Sequence, residues 1–103
     1  MSELNHSQRI EAMIRGNKVF VFMKGSPDRP QCGFSAHITK IFKELGVEFK
    51  YFDVLEDEEM RQAIKDYTNW PTIPQIFIDG NFIGGSDILG ELYQNGDLQK
   101  MLS

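Results

Sequence analysis

A single apolar run constrains the fold more than any other part of the sequence. Residues 19–23 read VFVFM, so five consecutive positions are apolar and four of them are valine or phenylalanine. A run of this length and composition is typical of a strand buried on both faces, and it lacks the polar side that a surface helix carries. The sequence therefore predicts an interior strand within a layered α/β structure.

The other elements follow from periodicity and from the residues that interrupt it. Apolar residues recur at helical spacing in five segments, which predicts helices at residues 3–14, 33–45, 57–67, 86–94 and 97–102. Further strands are predicted at residues 49–54, 75–79 and 82–84. Ser2 and Asp57 are predicted to cap the first and third helices. The segment Asp79-Gly80-Asn81 predicts a hairpin turn, because Asp-Gly accepts positive φ angles.

The order of these elements sets the topology. The helix between the first two strands forms a crossover connection, so those two strands are predicted to be parallel. The last two strands form an antiparallel hairpin. We therefore expect an α/β fold in one domain over residues 1–103, with a mixed sheet of about four strands flanked by helices.

Charge and hydropathy exclude several classes of function. The net charge is −4, so the chain has no overall basic footprint for nucleic acid. No apolar run approaches the roughly 20 residues of a membrane span. Residues 1–15 match neither a secretory nor a transit segment, so we expect a cytoplasmic protein, or one of an organellar matrix if a presequence was removed. We interpret the acidic residues 53–59 as a solvated helix start.

The cysteine count limits the chemistry further. Cys32 is the one cysteine, which excludes an internal disulfide, and a structural zinc ion needs about four ligands. The two histidines, His6 and His37, are too few and too scattered to complete a metal site with it. Whatever chemistry Cys32 performs, it performs with a group from outside the chain.

Cys32 opens the motif Cys32-Gly33-Phe34-Ser35, between a polar loop and the start of the second predicted helix. Free backbone N–H groups and the helix dipole favour a thiolate at such a position, and Lys24 can add a positive charge. The alternative is a small buried hydrophobic residue, which is a common role for a lone cysteine. The adjacent glycine and the polar loop favour an exposed, reactive thiol.

A second candidate motif is Trp70-Pro71-Thr72-Ile73-Pro74. Two prolines so close together exclude regular structure, and Pro74 directly before a strand predicts a cis peptide bond. Such a turn leaves the N–H and C=O of Ile73 unpaired, so that they can pair with an extended peptide as a sheet edge does. The alternative is a rigid turn that binds no ligand.

The third candidate combines a glycine turn with a helix start, in Gly84-Gly85-Ser86-Asp87. Ser86 or Asp87 is predicted to cap that helix, and the amides of both are candidate carboxylate ligands. Asp87 can alternatively accept a hydrogen bond from a ligand ammonium group. Arg61, in the third predicted helix, is either an ordinary solvated charge or a two-pronged donor to a carboxylate.

Together these stretches resemble the monothiol glutaredoxins that carry the CGFS signature. The matching blocks are FVFMKGSPDRPQCGFS, WPTIPQIFIDG and FIGGSD, and the resemblance spans residues 10–102. Three blocks in this order and spacing are far more specific than the signature alone. The resemblance implies a thioredoxin-like fold and a groove for glutathione, the tripeptide γ-Glu-Cys-Gly.

The resemblance also implies roles for individual residues. Cys32 resembles the active thiol of the family. Lys24 and Arg61 resemble its contacts to the glycine carboxylate of glutathione. Ile73, before Pro74, resembles the backbone partner of the glutathione cysteine.

The γ-glutamyl end of glutathione is assigned in the same way, because Ser86 and Asp87 resemble its binders. Many relatives carry a second cysteine at the position of Ser86, and the internal disulfide possible in those proteins is excluded here. Position 35 is also serine, so no two-cysteine redox motif remains.

The main functional hypothesis is glutathione-dependent binding and transfer of a [2Fe–2S] cluster. Such a cluster usually has four thiolate-type ligands, and a pair of chains supplies them as two Cys32 side chains and two glutathiones. We therefore expect an apo monomer and a cluster-bridged homodimer. The resemblance adds a BolA-type protein as a possible partner and apo iron–sulfur proteins as recipients.

Two alternatives use the same thiol. One is thiol–disulfide exchange, in which Cys32 removes glutathione from mixed disulfides. The other is a redox adaptor whose own glutathionylation changes the partners that it binds.

Overall fold

Four strands form one mixed sheet. The structure is a computed structural model that describes residues 4–103. The strands are β1 (Val19–Met23), β2 (Lys50–Asp53), β3 (Gln75–Ile78) and β4 (Asn81–Gly84), and they lie in the order β2-β1-β3-β4. The helices are α1 (His6–Arg15), α2 (Gly33–Glu44), α3 (Glu58–Thr68), α4 (Ser86–Gln94) and α5 (Asp97–Leu102). As predicted, β1 and β2 are parallel, while β3 runs antiparallel to both β1 and β4.

The apolar run of β1 is buried at every position, as its composition predicts. Alternate side chains point to opposite faces of a strand, so Val21 packs in one core and Phe22 in the other. The first core includes Phe42 of α2 and Leu89 of α4. The second includes Ile64 of α3, together with apolar residues of α1. The sheet is therefore covered on both faces, which confirms the layered α/β prediction.

Several element ends differ from the prediction for identifiable reasons. The first helix begins at His6, because the side chain of Asn5 accepts a hydrogen bond from the N–H of Gln8 in a capping box. The predicted cap Ser2 lies outside the described residues. The second strand ends at Asp53, whose carboxylate accepts from the N–H of Leu55 and starts a 3₁₀ turn at Val54–Glu56.

The turns behave as their residues predict. Asp79 and Gly80 both adopt positive φ angles, of 53° and 79°, between β3 and β4. This is the backbone geometry that a two-residue hairpin requires. Asp57 caps α3, as predicted, by accepting from the N–H of Met60. Within residues 4–103, no helix is both long enough and apolar enough to cross a membrane.

Candidate functional site

A groove of about 410 Å³ lies between the N-terminus of α4, helix α3 and the loop that precedes β3. Its walls include all six residues that the sequence predicts as ligand contacts: Lys24, Arg61, Ile73, Pro74, Ser86 and Asp87. Cys32 stands beside the groove, two residues before Phe34, which forms part of the wall. The structure thus brings together three motifs that are spread over more than fifty residues of the sequence.

Cys32 is the N-cap residue of α2, and its thiol occupies the end of that helix. Its Sγ lies 3.3 Å from the backbone N of Ser35 and 3.3 Å from Ser35 Oγ. The hydroxyl of Ser35 is fully buried and also accepts a hydrogen bond from the N–H of Lys24 at 3.2 Å. Since that hydroxyl already accepts from Lys24, its own hydrogen is available to donate to the sulfur.

These contacts lower the pKa of the Cys32 thiol. Partial burial acts in the opposite direction and raises the pKa, but hydrogen bonds from the Ser35 hydroxyl and from the amides of Ser35 and Phe34 outweigh it. The positive charge of Lys24 adds to the lowering. A thiol that is accessible and has a lowered pKa is the reactive type, so the buried-hydrophobe alternative is disfavoured.

The loop from Trp70 to Pro74 presents free backbone to the groove. The peptide bond between Ile73 and Pro74 is cis, as predicted. Within residues 4–103, neither the N–H nor the C=O of Ile73 has a hydrogen-bond partner, while the Ile73 side chain is buried in the second core. This part of the loop can therefore bind a peptide backbone through a pair of hydrogen bonds.

Gln75, which was not predicted from the sequence, supports this loop through hydrogen bonds from its buried side chain. It is fully buried at the start of β3, and its Nε2 donates to the carbonyls of Trp70 at 3.1 Å and Thr72 at 3.2 Å. Its Oε1 accepts from Thr68 Oγ1 at 2.8 Å. The available signal was the glutamine itself, which is the polar residue at the head of the apolar strand QIFI.

The N-terminus of α4 forms the opposite side of the groove, and the predicted side-chain cap is wrong. Gly85 occupies the N-cap position, and no side chain of residues 4–103 caps the helix. Ser86 is already the first residue of the helix, and its Oγ bonds to Nδ1 of His37 at 2.8 Å. Asp87 is exposed, in the first turn. Within the described part of the chain, the amides of Ser86, Asp87 and Ile88 have no partner.

The charges of the groove are unevenly distributed. Its cationic side chains come from Lys24, directly after β1, and from Arg61 and Lys65 on α3, whereas Asp87 lies on α4. Lys65 was not predicted, although its spacing of four residues from Arg61 places both on one face of a helix. The guanidinium of Arg61 is 3.8 Å from the exposed carboxylate of Glu58, a weak contact that leaves the arginine available to a ligand.

The described residues provide no metal site by themselves. Among residues 4–103, no cluster of three or more His, Cys, Asp or Glu side chains is placed to bind a metal ion. Cys32 can supply one thiolate ligand, and the remaining ligands of any cluster must come from other molecules.

Sequence comparison gives a consistent family. A family model described as Glutaredoxin matches residues 19–83. A Synechocystis protein named as an uncharacterized ycf64-like monothiol glutaredoxin is 57% identical over 91% of this chain and 88% of its own length.

Two solved structures extend the likeness to the fold. A monomeric truncated mutant of Trypanosoma brucei 1-C-Grx1 has a TM-score of 0.85 at 37% identity, with coverage of 98% of this chain and 91% of that one. A buckwheat glutaredoxin, solved as a complex with glutathione, has a TM-score of 0.84 at 27% identity over 94% of this chain and 86% of that one. The four-stranded sheet and its helices therefore have the thioredoxin-like fold that the sequence predicted.

Proposed function

Because the chain belongs to the monothiol glutaredoxin family, we propose that it binds glutathione in the groove and uses both sulfurs to carry a [2Fe–2S] cluster between proteins. The observation that carries this proposal is the position of Cys32. Its thiol has a lowered pKa, is accessible, and stands beside a groove with free backbone donors on two walls. In this proposal residues 1–103 act as one glutaredoxin domain, as the sequence analysis expects.

The groove offers a partner for each polar part of glutathione. The free amides of Ser86 and Asp87 suit the γ-glutamyl carboxylate, and the Asp87 side chain suits the ammonium group beside it. The unpaired N–H and C=O of Ile73 suit the backbone of the central cysteine. The buckwheat glutaredoxin solved with glutathione supports this choice of ligand.

The glycine carboxylate of glutathione would lie at the other end. Lys24 and Arg61 suit it, as the resemblance implies, and Lys65 adds a third positive charge on the same wall. With the two ends held in this way, the glutathione sulfur would point towards Cys32. Two thiolates would then be presented on one side of the protein.

Two sulfurs are half of the ligand set of a [2Fe–2S] cluster. A second copy of this chain with its own glutathione completes the set, so the loaded form is a homodimer bridged by its cargo and the apo form is a monomer. A BolA-type protein in place of one copy, and delivery to apo iron–sulfur proteins in the cytoplasm or an organellar matrix, belong to the same proposal. Because glutathione is held non-covalently, the cluster can leave with little reorganisation of the protein.

A second candidate function, thiol–disulfide exchange, is favoured by the lowered thiol pKa. The Cys32 thiolate would attack the glutathione sulfur of a mixed disulfide, forming a Cys32–glutathione disulfide and releasing the substrate thiolate. A second glutathione thiolate would attack the same glutathione sulfur, restoring the Cys32 thiolate and releasing oxidised glutathione. The groove serves both reactions.

Anaerobic reconstitution tests the main proposal. The apo protein is supplied with iron, sulfide and glutathione, and its visible spectrum and mass in solution are measured. We expect a coloured dimer from the wild type and a colourless monomer from Cys32→Ser or when glutathione is omitted. A wild-type protein that stays colourless and monomeric would overturn the carrier proposal, and rapid turnover of a glutathione mixed disulfide by that apo protein would support the exchange reaction instead.

A further inference from the structure

Ser86 is bonded to a side chain that lies outside the groove. Its Oγ is 2.8 Å from Nδ1 of His37, which is on α2 and is absent from the groove lining. Ser86 itself is only 6% exposed, at the first position of α4. The packed helices α2 and α4 are also joined further along, where Tyr93 Oη donates to Glu44 Oε2 at 2.9 Å. The imidazole of His37 is therefore bonded to a residue of the groove wall, although His37 does not line the groove itself.

Gly90, in the middle of α4, provides the space for this imidazole. A Cβ atom at that position would lie 3.2 Å from Cε1 of His37, which is closer than side chains normally approach. Glycine in a helix interior is unfavourable relative to alanine, so its presence needs a reason. Room for the His37 ring is such a reason, and it indicates that the contact with Ser86 is built into the packing of the two helices.

The hydrogen bond can run in either direction, with different consequences for the groove. A serine hydroxyl has one hydrogen to donate. When His37 is neutral with its proton on Nε2, the Ser86 hydrogen is donated to Nδ1 and none remains for a ligand. When His37 is protonated, Nδ1–H becomes the donor, and the Ser86 hydrogen is released to bind an anion.

We infer that His37 is a positioning residue which controls the hydroxyl of Ser86, so that protonation of His37 strengthens the binding of a carboxylate at the N-terminus of α4. This inference rests on the proposed function, since the carboxylate is that of the γ-glutamyl end of glutathione. The free amides of the helix bind the carboxylate in both states. Relative to neutral His37 with its proton on Nε2, the protonated state gives the carboxylate one more charge-assisted hydrogen bond, from the Ser86 hydroxyl.

Other charged groups lie near this pair on both helices. Lys40 is one turn further along α2, while Asp87 and Glu91 directly follow Ser86 and Gly90 on α4. Carboxylates and lysines ordinarily keep their charge between about pH 5.5 and about pH 8, where imidazoles change theirs. Cys32, at the start of α2, can also titrate, and for that reason it is retained in every protein compared.

The test is an NMR titration of the apo protein with reduced glutathione, repeated from about pH 5.5 to about pH 8. For the wild type we expect the Kd to fall about tenfold as the pH is lowered, as one hydrogen bond to a charged group allows. In His37→Asn, whose amide has no comparable titration, the Kd should change by less than about twofold over the same range. Removing the hydroxyl in Ser86→Ala should likewise abolish most of the pH dependence.

His6→Asn is the matched control, because His6 is the other histidine and contacts Glu59 on α3, away from the groove lining. It should keep the full pH dependence of the wild type. A wild-type Kd that does not change with pH, or a slope that persists in His37→Asn, would overturn the inference while leaving glutathione binding intact. Failure of the wild type to bind glutathione at any pH would instead overturn the proposed function and this inference with it.

Discussion

Helices α2 and α4 both begin at the groove, but their N-termini differ in how they are capped. At α2 the N-terminus is capped by a side chain of the protein, since the Sγ of Cys32 accepts a hydrogen bond from the N–H of Ser35. At α4 the N-cap residue is Gly85, and within the described part of the chain no side chain caps the helix and its first amides have no partner. Both ends carry the partial positive charge of a helix dipole.

The difference shows how one structural device can serve two purposes. A filled N-terminus stabilises a thiolate that belongs to the chain, so it tunes reactivity. An open N-terminus leaves donors for an anion that arrives from solution, so it provides binding. The same contrast explains why a residue with a capping side chain is suited to the N-terminus of α2 and a glycine to the N-terminus of α4.

The largest effect is expected from Gly85→Asp, which would give α4 a side-chain cap and so remove the difference between the two helices. A Cβ there would meet Pro74 O at 3.4 Å, an ordinary contact, and the backbone φ of −100° suits any residue. The new carboxylate can also accept from Trp70 Nε1, which is buried without a partner in the described residues. We expect the free energy of unfolding to rise by roughly 0.5 kcal/mol, because the helix gains a cap. Glutathione affinity should fall by about 100-fold, because the new carboxylate occupies the amides that the ligand carboxylate would bind.

Calorimetric titration and urea unfolding measure these two effects on the same samples. Gly85→Ala is the control, because it changes the backbone in the same way without adding an acceptor, and it should bind glutathione within about threefold of the wild type. Equal affinities for the two variants would show that the open end of α4 does not bind the ligand.

At the other helix, Ser35→Ala removes part of what stabilises the thiolate. The pKa of Cys32 should rise, and its alkylation by iodoacetamide near neutral pH should slow by about three- to tenfold. Loss of the acceptor for the Lys24 amide should also cost about 1–3 kcal/mol of stability. The pH profile of the alkylation rate gives the thiol pKa directly.

Ser26→Ala is suited as the comparison for that experiment. Ser26 also accepts a backbone hydrogen bond, from Arg29, in the loop before Cys32, but it makes no hydrogen bond to the thiol. Its alkylation profile should match that of the wild type. An unchanged thiol pKa in Ser35→Ala would show that the amides alone tune Cys32.

We expect smaller effects from the cationic side chains of the groove than from the N-terminus of α2 or of α4. In Arg61→Ala we expect the affinity for glutathione to fall by about three- to tenfold with little change in stability, since among residues 4–103 its ion pair is a long contact to exposed Glu58. Binding isotherms of Arg61→Ala and of the exposed control Lys40→Ala measure the difference. Identical isotherms would assign Arg61 to the ordinary surface.

The smallest effect expected is on stability as a function of pH. Because the folded thiol of Cys32 has a lowered pKa, the unfolded state holds the proton more tightly. Stability should therefore rise as the pH increases from the folded thiol pKa towards the ordinary thiol value and then level off, and it should be lost as the pH falls through the folded pKa. Urea unfolding under reducing conditions should show this rise in the wild type, whereas Cys32→Ser should lack it.

Local patterns accounted for most of the fold. The run of β1, the turn at Asp79 and the cis bond at Pro74 depend on neighbouring residues, and each was predictable for that reason. The start of α1 was misplaced because Asn5 and Gln8 form a reciprocal capping pair that competes with any earlier cap. All six predicted groove residues lie together, and Ile73, Pro74, Ser86 and Asp87 were predictable because they belong to short motifs beside the start of an element.

Contacts between distant segments were the part that could not be predicted. Instead of capping α4, which already begins at Ser86, the hydroxyl of Ser86 is bonded to His37, which is 49 residues away in the sequence. Gln75 gave no period or turn signal, and its role emerges only when the carbonyls of Trp70 and Thr72 are placed around it. Side-chain hydrogen bonds of this kind depend on tertiary packing, about which local sequence propensity carries no information.

The hydrogen bonds that hold the loop before β3 have one further consequence. Within the described chain, the partners of Trp70 and Thr72 come from Lys65, Thr68 and Gln75, all in one stretch of eleven residues. That wall of the groove is thus a self-supporting module that depends little on α2 or α4 for its shape. Protein engineers who wish to alter which small peptide is accepted can change α2 and α4 beyond Cys32 and the α4 N-terminus, while this module keeps its backbone donor and acceptor in place.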